Sequence, residues 1–143
     1  MTNVARTGQT ILIAASSMFF AAFTSAMVVR RGIGADWAAP ELPPWLWFSA
    51  LCGPVASYFL WQGRRAAAVA AGSLLVLLQL AALPQFRLAV IGEAFLAVLI
   101  AAHAAHAAAG VLAVARFGPA AALFWHFAGI LWLYILFLFG VWA

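Results

Sequence analysis

Two imidazoles three residues apart, His103 and His106, are the strongest chemical signal in the chain, because that spacing sets both on one face of a helix. Such a pair can give two ligands to zinc, copper or a di-iron centre, and a site needs at least a third. His126 is the remaining histidine. Across a short helical hairpin it falls about 10 Å along the axis from His106, too far for shared ligation. Cys52 stands alone, which excludes an intrachain disulfide and a cysteine-rich metal centre. The expectation is no metal site in this chain and a helix-contact or hydrogen-bonding role for the imidazoles. Glu93 is the one acid inside an apolar run, about 15 Å of helix from His103. No string of acids continues from it, so it reads as an interfacial carboxylate rather than a proton relay. The other polar side chains of the runs, chiefly Ser16, Thr24, Ser49, Ser57 and Gln79, are too sparse to line a path across a membrane. With no phosphate-cradling glycine loop, nucleophile elbow or HExxH, no catalysis is expected of this chain alone.

The elements that must hold these groups follow from composition. Of 143 residues, 69% are hydrophobic and 7% charged, where a soluble domain carries about 25% charged residues. A water-soluble fold of this size cannot hide so much apolar surface. The pattern predicts an all-α integral membrane bundle: one domain of five up-and-down transmembrane helices, spanning about residues 9–30, 45–62, 66–86, 92–116 and 120–142. In hydrocarbon each must be helical, since every backbone polar group has to be satisfied within its own segment. Residues 11–29 follow Arg6 and are closed by Arg30 and Arg31, which reads as an anchored helix rather than a cleaved signal. Gly32 to Pro44 is the only loop with room for a surface of its own; the turns at Gly63–Arg65, Arg87 and Gly118–Pro119 force antiparallel neighbours.

Seven arginines, no lysine and three acids give a net charge of +4. The arginines are scattered singly or in pairs, so they read as interface anchors and not as a nucleic-acid surface. Arg6, Arg64, Arg65 and Arg116 fall on the amino-terminal side and Arg30, Arg31 and Arg87 on the other, a bias toward a cytoplasmic amino terminus and a periplasmic carboxyl terminus. Alanine and glycine crowd the third and fourth runs, a composition that lets helix backbones approach closely in lipid. The last run is aromatic nearly all round, from Phe124 and Trp125 to Trp142, which suits a helix between lipid and a large partner.

Three fragments, in order, resemble subunit III of the haem-copper respiratory oxidases in its short five-helix bacterial form. Met18-Phe19-Phe20-Ala21-Ala22, ending in Arg30 and followed by the tryptophan-proline loop Trp37 to Pro44, is similar to the family's Met-Phe-Phe-Ala-Gly helix. His103-Ala104-Ala105-His106, with Gly110 after it, is similar to its His-x-x-His-x-x-x-Gly helix. Phe124-Trp125-His126-Phe127, with Trp132 downstream, resembles its closing Tyr-Trp-His-Phe helix. The resemblance implies a cofactor-free accessory subunit of a bacterial cytoplasmic-membrane oxidase, packed on a catalytic subunit-I-like partner that carries haem and copper, among other respiratory subunits. It also implies bound phospholipid, with His103, His106, His126, Trp125, Trp132 and Ser16 as lipid-binding or helix-packing residues. Ser16 stands where the family carries a glutamate and Gly129 where it carries an aspartate. Imidazoles without those acids are expected neutral and hydrogen-bonded, which leaves lipid binding and assembly as the implied roles. A subunit-III-like protein of nitric oxide reductases, a small stand-alone transporter or channel, and an assembly factor are the alternatives from the same residues.

Overall fold

A computed structural model describes residues 3–142, and among them every regular element is helical. The helices are α1 (Asn3–Ile33), α2 (Pro44–Trp61), α3 (Arg65–Ala82), α4 (Ile91–Phe117) and α5 (Ala122–Phe137). Leu83–Gln85 and Gly118–Ala121 are single 3-10 turns, and Leu138–Trp142 continues α5 as a π turn. Punctuation in the sequence explains the breaks. Pro84 stops the ladder of α3. Gly63 and Gly118 take φ of +72° and +57°, left-handed values that a side chain disfavours, and so turn the chain between α2 and α3 and between α4 and α5.

Helices α2 to α5 form a closed antiparallel ring in which α2 meets α3, α3 meets α4, α4 meets α5, and α5 returns to α2. Its core is apolar, with Leu46, Leu75, Leu96, Leu99, Ile100, Ile135 and Leu136 fully buried. Small residues set the closest approaches. A Cβ at Gly72 would meet Val111 Cγ2 and Trp125 Cη2 at 2.8 Å, and one at Gly110 would meet Trp125 Cε3 at 3.2 Å. The glycine and alanine faces of α3 and α4 thus make the slot that the Trp125 indole fills.

Helix α1 lies outside this ring, against α4 and α5. Gln9 Nε2 donates to the Ala120 carbonyl at 2.8 Å, Phe20 meets the His106 ring, and Phe23 meets Phe95. The amino-terminal end of α1 therefore sits beside the turns at Gly63 and Gly118, and the loop after it lies over the start of α4, where the Ala38 carbonyl abuts Gly92.

The outer surface is apolar, with Met18, Val29, Phe48, Leu51, Leu77, Leu112, Ile130 and Phe137 all exposed. Water would make such a surface untenable, so several apolar helices of this kind mark a membrane protein. Among the described residues three segments are long and apolar enough to cross a bilayer: Arg6–Ile33, Arg65–Gln85, and Ile91–Gly140, the last a 50-residue stretch that contains the Gly118 turn. Helix α2 is not among them, since Trp45, Trp47, Pro54, Tyr58 and Trp61 dilute its hydropathy.

Candidate functional site

The densest polar chemistry lies inside the ring and joins all four of its helices. His103 is completely buried on α4, and its Nε2 lies 2.8 Å from the Ala128 carbonyl of α5. A carbonyl only accepts, so the ring hydrogen sits on Nε2 and Nδ1 is left as an acceptor. It takes the Gln79 amide of α3 at 2.9 Å, which satisfies the neutral imidazole on both edges. The His103 ring stacks on Trp132 at 5.0 Å between centroids. Trp132 Nε1 donates to Ser49 Oγ of α2 at 2.9 Å, and Ser49 in turn donates to the Leu46 carbonyl at 2.5 Å. In a low-dielectric interior each of these groups would be costly if left unpaired, and here each finds its partner within the chain.

His106 does not join this network. Three residues span 300° of helix, so its side chain is offset by about 60° from that of His103. That offset carries it out of the ring toward α1, where Nδ1 contacts the Ala102 carbonyl at 2.7 Å and the ring packs edge-on against Phe20. The single helical face expected for the pair is therefore divided between two packing environments. Ser16 lies one turn before Phe20 on the buried side of α1, with its hydroxyl lacking a partner among the described residues. Phe20, and not Ser16, makes the contact with His106.

His126 belongs to a third place, the outer seam of α2 and α5. Trp125 Nε1 donates to Ser57 Oγ at 3.1 Å, and Ser57 lies 3.2 Å from His126 Nδ1. Among the described residues no three of the His, Cys, Asp and Glu side chains come together. Trp125 and Trp132, expected as lipid-binding or helix-packing residues, turn into the chain's own core. The outer side of α5 is left to Ile130, Leu133, Tyr134 and Phe137.

Glu93 is buried at the start of α4, where it grips Arg87. One carboxylate oxygen accepts from the Arg87 backbone N–H at 2.5 Å, and the other from the guanidinium at 2.6 Å and 3.1 Å. This fixes the connection between α3 and α4, and the partner raises the pKa of Arg87. Arg65 Nε donates to the Val114 carbonyl at 3.0 Å, an acceptor it shares with the Gly118 N–H that closes α4. Gln79, Ser49 and Ser57 carry more of the geometry than sequence reasoning gave them. Their signal was present, because a lone amide or hydroxyl in an apolar helix must find a partner.

A groove between α1 and the α4–α5 hairpin, lined by Gln9, Leu12, Ala109, Ala113, Phe117, Ala120 and Phe124, encloses about 380 Å³ and is almost wholly apolar. Its lining lies toward the end of the bundle that carries Arg6, Arg64, Arg65 and Arg116 and no acid. Set beside known proteins, the chain matches no family model, no curated protein and no solved structure.

Proposed function

We propose that this chain is a non-catalytic accessory subunit of a bacterial haem-copper terminal oxidase or respiratory supercomplex, which binds phospholipid and supports assembly and stability of a catalytic subunit-I-like partner. Haem and copper belong to that partner. The observation that carries the reading is the use to which the buried imidazole is put: His103 spends both ring nitrogens on Ala128 and Gln79, as a part that holds helices together. The three ordered fragments around Phe20, His103 and Trp125 supply the family.

On this reading the chain crosses the bacterial cytoplasmic membrane five times. Eighteen residues of α2 reach about 27 Å, close to the thickness of the hydrocarbon. Trp45 and Trp47 at one end of it and Tyr58 and Trp61 at the other lie where aromatic belts form. The arginine-rich end, with the amino terminus, faces the cytoplasm, and the carboxyl terminus faces the periplasm. The groove beside Gln9 and Phe117 takes an acyl chain, while the nearby arginines attract the phosphate of its headgroup.

The test is to tag the chain, extract native membranes in mild detergent and identify what accompanies it. A haem-bearing subunit-I-like chain and retained phospholipid are expected. A nitric oxide reductase in its place would move the chain to that complex. A homo-oligomer with no haem-bearing companion would end the proposal and point to a transporter or channel.

A further inference from the structure

The seam of α2 and α5 holds a second groove, distinct from the one beside α1. It is an open groove of about 400 Å³, lined by Gly53, Pro54, Ser57, Trp125, His126, Gly129, Ile130 and Leu133. Its floor is the glycine pair: a Cβ at Gly53 would lie 4.0 Å from Gly129 Cα, while one at Gly129 would meet nothing within 4 Å. The site therefore has open space bounded by hydrocarbon, with one polar edge.

That edge has a defined direction. An indole N–H can only donate, so Ser57 Oγ accepts from Trp125. The other partner of Ser57 among the described residues is His126 Nδ1, and no backbone carbonyl competes for its hydrogen as one does for Ser17 and Ser49. The hydroxyl hydrogen therefore goes to Nδ1, and the neutral ring carries its own hydrogen on Nε2. His126 is exposed, and Nε2 has no partner among the described residues. At the rim of the hydrocarbon this Nε2–H has no acceptor among the described residues, so the groove offers one hydrogen bond to an oxygen atom on an otherwise apolar body.

We propose that this groove binds a neutral, lipid-soluble carbonyl compound of the isoprenoid quinone class, one carbonyl oxygen accepting from His126 Nε2–H and the ring lying over Gly53 and Gly129. Charge selects against a phospholipid, because none of the lining residues is cationic and a phosphate would find no counter-charge. Size agrees, because the space suits a ring with its first tail carbons, and the open side lets the remaining tail run into the bilayer. The assignment is of binding alone and holds whichever complex the chain joins.

The experiment uses the full chain in phosphatidylcholine nanodiscs with a decyl-benzoquinone labelled with ¹³C at its carbonyls. Saturable binding is expected, with the carbonyl infrared band moved to lower frequency by the hydrogen bond. His126→Phe is expected to weaken binding about tenfold and abolish the band shift, and His126→Gln, which restores a donor, to recover most of both. Gly129→Leu fills the floor and is expected to remove saturable binding, with the helical melt unchanged. Binding that does not saturate, or a His126→Phe variant that binds and shifts the band as the parent does, would overturn the proposal. So would native mass spectrometry showing a phospholipid that Gly129→Leu displaces. Loss of oxidase co-purification would leave these results untouched, which keeps the two readings separately testable.

Discussion

His103 is held by what each ring atom can do, and its neighbours inherit the consequences of removing it. A His103→Leu variant leaves the Gln79 amide without a partner inside the ring, so the chain is expected to lose about 1–3 kcal/mol in a detergent unfolding titration. Adding Gln79→Leu removes the orphan and is expected to recover a large part of that loss, so the double-mutant coupling is at least as large as the recovered part. Additive losses from the two changes would show that the amide and the ring do not interact. The sequence made the imidazoles visible but not their separation, since a three-residue spacing reads as one face until neighbouring helices divide it. Gln79 was legible only as a lone amide that must find a partner. A short connection makes the third and fourth runs antiparallel, but Gln79 lies 8 residues before Arg87 and His103 16 after it, so a simple hairpin does not set the two opposite each other.

Helices and loops depend on where side chains are missing and where charges are shared. Gly72→Ala would push a methyl into Trp125 and Val111, and overpacking at that crossing is expected to cost about 1–3 kcal/mol in the same titration. The loop after α1 answers to pH. Asp36 accepts two bonds from Arg30 at 2.5 Å and 2.7 Å, and that guanidinium holds its pKa below the ordinary 3.8. A carboxylate with a depressed pKa contributes stability that is present above the unfolded value and lost as pH falls through the folded one. Loop amides of the parent are therefore expected to exchange more slowly than those of Asp36→Asn at pH 6, with the difference lost at a pH low enough to protonate Asp36, below 3.8. An equal difference at both pH values would remove the ion pair from that account. Element positions were readable from apolar runs punctuated at Gly63, Arg87 and Gly118, although the third helix stops at Ala82, short of the expected residue 86. The inward turn of Trp125 and Trp132 was not, because aromatic bulk on every side of a helix gives no direction for its buried face.

For the molecule as a whole, the charges divide into an end with four arginines and no acid and an end with three arginines and all three acids. The proposed topology follows from that division. In a Cys52→Ala background, Asp36→Cys is expected to react with an impermeant maleimide from the periplasm, and Arg64→Cys only after the inner face is opened. The reverse pattern would invert the chain. What the charges do not govern is the place of α1, whose contacts with the ring are made far along the chain. Gln9, Phe20 and Phe23 meet Ala120, His106 and Phe95, so even the earliest of these partners is translated about 70 residues later. At roughly 5–20 residues per second, the first helix is left unaccompanied for several seconds of synthesis. It must therefore persist as a solitary rod in lipid until the rest of the chain arrives to claim it.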